Sequence, residues 1–252
     1  MNAPAVPPAA SLPGPPGAAA RAPRADTVPY IARWSAEAEI STPVVPARGG
    51  TGIAFPDEIP GDRDRHGVLW MRREVNPGAG VPQLSRVHSV RQRYAMRRLR
   101  CQVCRRPADR DEQGVLWLLE DGRADRPDWP ESELTVHPPA CAGACVETAI
   151  ERCRHLRDNW VTVRVSEPVL DGVYGQLYRP GRPLPAPVEK VTRLYEAPDV
   201  LWVLTSQLVA TLNGCTVVRA WSPQPRSATA REDLGAVPPR TASARTRRRR
   251  KR

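Results

Sequence analysis

Aromatic side chains are scarce. They make up 5% of the 252 residues and include a single Phe, while Pro (29) and Gly (17) are plentiful. A chain so short of large apolar groups and so rich in breakers leaves part of itself outside any packed core. Long hydrophobic runs are missing too. None approaches the ~18–20 residues that a membrane-spanning helix needs, which excludes that class and a membrane partner. The first 30 residues lack an early charge and are broken by Pro where a secretory signal would be continuously apolar, so no such signal is expected. The expectation is a cytoplasmic protein with disordered ends.

Lysine is nearly absent. Of 38 basic residues, 36 are Arg, and only Lys190 and Lys251 are Lys. Alongside the Ala and Pro bias, this skew suggests high-GC codon usage, so Arg counts are discounted as functional evidence. The net charge is +11, and residues 222–252 carry ten basic and two acidic side chains, which is +8 of it. The terminal RTRRRRKR, including Arg247, Arg248, Arg249 and Arg250, suits non-specific binding to nucleic acid.

Composition divides the chain into a disordered Ala/Pro-rich tail (1–29), a loose Pro/Gly-rich segment (30–61), a knuckle-containing region (62–158), an α+β region (159–221) and a disordered basic tail (222–252). One internal echo stands out. Asp62-Arg63-Asp64-Arg65-His66-Gly67-Val68-Leu69-Trp70 matches Asp109-Arg110-Asp111-Glu112-Gln113-Gly114-Val115-Leu116-Trp117 at seven of nine positions. Each copy reads as a polar turn with a permissive Gly, followed by β-formers. Further on, Trp160–Val165 and Val173–Tyr178 alternate as half-buried strands, joined by a Pro/Gly-containing connection. Pro198-Asp199 then opens a predicted helix, with Val200, Val203, Leu204, Leu208 and Leu212 on one stripe and Asn213-Gly214 as its stop. Cys215–Val218 follows as a strand. The class is α+β, with a β-β-α-β unit packed against the knuckle region.

Cysteine placement is the sharpest signal. Cys101-Gln102-Val103-Cys104 and Cys141-Ala142-Gly143-Ala144-Cys145 are separated by 36 residues, and Cys153 follows. Two residues between thiols let both point into one tetrahedral site from a tight turn. Thiols four apart at the start of a helix share a face. Residues 146–152 are good helix formers, and Gly114–Leu119 reads as a hairpin strand. Knuckle, hairpin and helix in that order is the treble-clef arrangement. The expected ligands of a structural zinc ion are Cys101, Cys104, Cys141 and Cys145, with Cys153, His155 and His137 as alternatives. Such a site is worth roughly 10–16 kcal/mol in peptides, comparable to the whole stability of a domain.

Nine Arg against one acid flank the knuckle between Arg86 and Arg110. Arg91, Arg93, Arg97, Arg98, Arg100, Arg105 and Arg106 are the candidate phosphate contacts, carried on what reads as a basic strand entering the knuckle.

Several stretches carry a resemblance: Gln92–Cys104, Gly114–Leu119, His137-Pro138-Pro139, Cys153-Arg154-His155-Leu156 and Leu212–Val217. They resemble a group of uncharacterised actinomycete (Streptomyces-type) proteins with a CQVC zinc-knuckle-like motif. The resemblance spans roughly residues 62–220. In that group the second pair is CxxC followed by a CPH-like element, so the CxxxC and Cys153-Arg154-His155 here are departures. It supports zinc and implies no activity.

Function is then expected to be non-catalytic. The chain has four His in all, without the paired arrangement a treble-clef nuclease needs, and lacks a phosphate-binding Gly loop, GxSxG and HExxH. No small-molecule substrate is indicated. Association with nucleic acid is the first expectation. A protein-interaction module using Trp70, Trp117, Trp129 or Trp202 is the second, and a nuclease the third.

Overall fold

A computed structural model describes residues 28–220; the basic tail, with Arg247 to Arg250, and nearly all of the Ala/Pro-rich tail lie outside that span. The elements in chain order are β1 (Ala32–Trp34), β2 (Val45–Pro46), β3 (Ile53–Ala54), β4 (Pro82–Val87), α1 (Ser89–Arg97), β5 (Arg110–Asp111), β6 (Gly114–Leu119), β7 (Glu133–Thr135), α2 (Ala144–Arg152), β8 (Val161–Arg179), β9 (Ala186–Leu194) and β10 (Val203–Ala220), the last preceded by a 3-10 turn at Val200–Trp202. The described chain is mixed, mostly sheet, with two helices.

Two long strands organise it. β8 has 19 residues and β10 has 18, and they pair antiparallel from Val161↔Ala220 to Leu177↔Val203. The opposite edge of β8 is shared: β6 pairs with Val161–Val165, and β9 pairs with Gly172–Arg179. β5 flanks β6, and β7 caps β10, completing a six-stranded sheet. Pro168 falls between the two short partners, where β8 has a neighbour on one edge only and a missing N–H is tolerated. The connection expected there is therefore the middle of one continuous strand.

β6 separates two cores. All six of its residues are buried. Its period of two sends Val115, Trp117 and Leu119 into the main core, with Val161, Val163, Val165, Leu208 and Leu212. Leu116 and Leu118 face a second core containing Cys101, Cys145, Val146, Ala149 and Trp160.

Two elements differ from expectation. The helix predicted from Pro198 is β10. The spacing of four between Val200, Leu204, Leu208 and Leu212 fits a helical stripe, but it is also a multiple of the strand period. Leu208, Ala210 and Leu212 share the main core, whereas Leu204 faces the smaller cluster around Ile53 and Phe55. The β-branched density (Val203, Thr205, Val209, Thr211, Thr216, Val217, Val218) is compatible with strand, and pairing with β8 and β7 decides for it. Gly214 does take a positive φ of 63°, but inside β10 rather than past a helix end. The β-β-α-β unit thus has a 3-10 turn and strand in place of its expected helix. The second difference is the basic segment before the knuckle, which is helix α1 and not a strand. Ser89, Gln92 and Met96, with Arg91 and Ala95, bury one face of it at helical spacing.

The internal echo has one physical meaning. Asp64 Oδ1 accepts the amide of His66 at 2.9 Å, and Asp111 Oδ1 accepts that of Gln113 at 3.0 Å. Both are Asx turns that lead into a Gly of positive φ. Both end on a tryptophan of the main core, Trp70 and Trp117.

Candidate metal centre

After α1 the chain reverses through Leu99, whose φ is 45°. A short antiparallel turn then closes by Cys101 N–H to the Arg106 carbonyl (2.8 Å) and Arg105 N–H to the Cys101 carbonyl (3.0 Å). This presents the thiols of Cys101 and Cys104 to one side. The segment carrying Cys141 is stitched alongside: the amides of Gln102, Asp109 and Ala140 bond the carbonyls of Pro139, Ala140 and Leu116 at 2.8–3.0 Å. Gly143, at φ 66°, turns the chain into α2, where Cys145 is the second helical residue. No side chain caps α2, and Glu147 lies in its first turn.

The four sulfurs lie within 4.8 Å of one another, the single such donor group among the described residues. Cys104 Sγ and Cys141 Sγ are 3.7 Å apart. A tetrahedral ion with ~2.3 Å bonds to sulfur spaces its ligands about 3.8 Å. These cysteines are positioned to bind a metal ion. Cys101 and Cys145 are buried, while Cys104 and Cys141 form the rim. Cys101 Sγ accepts the amides of Val103 (3.4 Å) and Cys141 (3.3 Å), and Arg106 Nε donates to Cys104 Sγ (3.5 Å). Such donors offset the excess negative charge of four thiolates around a dication.

Three of the thiols bias one another's ionisation. Hydrogen bonds from Cys141 and Cys145 hold the Cys101 thiol down at about 2. The same bond to Cys101 pushes Cys141 up to about 12, and Cys145 is pushed up by Cys101 and then by Cys141. One thiolate is hydrogen-bonded by its neighbours.

The three alternative ligands lie elsewhere. Cys153 ends α2, half-buried, with its amide bonded to the Ala149 carbonyl. His155 and His137 are exposed outside the sulfur group.

The candidate phosphate-binding arginines do not share one face. Arg91 is buried and ion-paired with Glu37. Arg105 lies over the rings of Tyr30 and Tyr94, at 5.4 and 5.5 Å, and Arg106 serves Cys104. Arg100 is half-buried. Arg93, Arg97 and Arg98 gather around a cleft of about 500 Å³, whose other wall is Arg63, Arg65 and His66 from the first copy of the echo, with Tyr195. Sequence reasoning missed this wall. Its signal was the charge-rich Asp62–His66 turn, read only for its backbone. Of the four tryptophans considered as a contact surface, Trp70, Trp117 and Trp129 are buried and Trp202 is half-buried. No helix among the described residues is long and apolar enough to cross a membrane.

Comparison with known proteins finds no matching family model, no matching curated protein and no matching solved structure.

Proposed function

We propose a zinc-stabilised, non-catalytic protein that associates with nucleic acid through the arginines at the end of α1. An all-sulfur donor set at tetrahedral spacing suits zinc, and knuckle, β5–β6 hairpin and α2 follow one another in the order of a treble clef. The zinc is structural in this reading: two of its ligands sit in the second core, and it ties that core to β6.

One observation carries the nucleic-acid part. Arg93 and Arg97 of α1, with Arg98 just past its end, meet Arg65 around one cleft, and none of the four forms a salt bridge with an acidic side chain among the described residues. Lone surface arginines are common, but a concave group in which four arginines outnumber the one carboxylate, Asp64, is suited to phosphate.

Elemental analysis of the purified full chain checks the metal, with one zinc per chain expected and its loss in Cys104→Ser. A mobility shift with single-stranded DNA checks the partner. Binding should weaken steeply between about 50 and 200 mM salt and fall in Arg97→Gln/Arg98→Gln. Salt-independent binding, or none, defeats the nucleic-acid reading, and a zinc-free protein defeats the other half.

A further inference from the structure

We propose that the cleft floored by Arg93 is a phosphomonoester site, taking the terminal phosphate of a nucleotide or of a 5′-phosphorylated strand. The strand as ligand rests on the nucleic-acid reading above; the phosphate site itself does not.

The argument starts from charge left uncompensated. Arg93 packs its guanidinium 4.2 Å above the Trp70 ring, and its Nε is buried without a hydrogen-bond partner. Arg97 lies one turn along α1 on the same face, where like charges repel. Burial, and then Arg97, push the Arg93 pKa below the ordinary arginine value. A half-buried cation under a second cation is destabilising until an anion arrives. Arg98 and Arg65 border the same space.

One carboxylate, Asp64, also lines the cleft and partly offsets the charge on Arg93, although no salt bridge joins the two. Asp64 Oδ1 accepts the amides of His66 (2.9 Å) and Val68 (3.1 Å), and Oδ2 accepts Trp70 Nε1 and the Tyr195 hydroxyl, each at 3.1 Å. All of its usual acceptor positions are in use. Arg63 is excluded from the count because Glu58 already holds it, at 2.6 and 2.9 Å. Four guanidiniums therefore face one carboxylate, whose single charge offsets only part of theirs and leaves the cleft net positive. Forked arginines lining one concave cleft suit the dianionic, three-oxygen end of a phosphomonoester better than the monoanionic diester of a strand interior.

The wall suits what a nucleotide carries next to that phosphate. The His66 ring stacks on Tyr195 with centroids 3.6 Å apart and planes 11° apart. His66 is exposed, so its other face is available to a base. A volume of about 500 Å³ lies within the range of small-ligand pockets.

The test is fluorescence anisotropy of the full chain with one short single-stranded DNA, 3′-labelled, carrying either a 5′-phosphate or a 5′-hydroxyl, with AMP and inorganic phosphate as competitors. The phosphorylated strand should bind about tenfold or more tightly, and AMP should displace it. Arg93→Gln should bring the ratio of the two affinities close to one. Arg65→Gln, on an exposed loop, should lower the same ratio and covers the case in which the Arg93 variant misfolds. Equal affinity for both ends, with no competition by AMP, overturns the phosphate site and leaves strand association standing. Binding of AMP without either strand upholds the site and overturns strand association.

Discussion

Arg91 and Glu37 form a buried two-pronged ion pair, with Nη2 to Oε2 at 2.6 Å and Nη1 on Oε1. The same carboxylate accepts the amides of Trp34 (2.8 Å) and Asn76 (3.1 Å), and Arg91 also donates to the Ala32 carbonyl (2.6 Å). One acid thus joins β1, α1 and the loop at Asn76. An arginine that composition offers as a nucleic-acid contact is a structural tie.

This tie predicts an acid sensitivity. Burial alone pushes the Glu37 carboxyl up, but hydrogen bonds from Arg91 and the Trp34 amide outweigh it and hold it at about 2. A carboxyl depressed in the folded state stabilises above its unfolded pKa, near 4.5, and that stability fades as pH falls from there towards 2. The contribution is about 3 kcal/mol at neutral pH. Urea unfolding of Glu37→Gln at pH 7 should show a loss of this size or more, because Arg91 stays buried without its counter-ion. Between pH 4.5 and 2 the variant should lose less further stability than the parent; parallel pH profiles would refute the assignment.

Gln92 predicts a second, pH-independent loss. It is fully buried and works as a piece of backbone: Oε1 accepts the Leu208 amide (3.0 Å), and Nε2 donates to the carbonyls of Leu208 (2.9 Å) and Val136 (2.7 Å). These bonds serve β10 beside its register shift between Thr205 and Gln207. Gln92→Leu keeps the volume and takes the partner from two buried backbone groups of Leu208 and from the half-buried Val136 carbonyl. A destabilisation of about 3 kcal/mol or more is expected, with metal content unchanged. A Leu variant as stable as the parent would show that the strand satisfies itself.

How far the sequence could be read follows from what each signal depends on. The cysteine group was legible because thiol spacing is local chemistry: two close pairs must meet if one ion is to hold both. α2 and β6 were legible from helix formers and from a continuous apolar run. β10 was not, since Leu204, Leu208 and Leu212 satisfy two periods at once and only their partners, β8 and β7, choose between them. The roles of Arg91, Arg93 and Arg106 were hidden for a related reason. Glu37, Trp70 and Cys104 become their neighbours only after folding.

Metal removal should act on one core and spare the other. Cys101 and Cys145 line the second core, while β8 and β10 pair around the first. Chelation should therefore release amide protection in the knuckle and α2 well before the β8–β10 ladder. Cys104→Ser and Cys145→Ala should lose the ion, whereas Cys153→Ser and Cys215→Ser should retain it. Global unfolding in one step on chelation would show that the metal holds both cores.

The echoed turns offer an internal control on backbone strain. Gly67 and Gly114 occupy the same place in the motif, with φ of 78° and 119°. A Cβ on Gly67 would meet only Leu201 Cδ2 at 3.8 Å, whereas one on Gly114 would fall 2.1 Å from the Val165 carbonyl oxygen. Gly67→Ala should thus cost only the left-handed penalty, roughly 1–2 kcal/mol. Gly114→Ala adds a backbone collision that β6 can relieve only by moving off β8, and should cost about 4 kcal/mol or more. Thermal unfolding of the two single variants measures the difference directly. Equal losses would mean that the β6–β8 ladder yields at no expense, which its burial on both faces argues against.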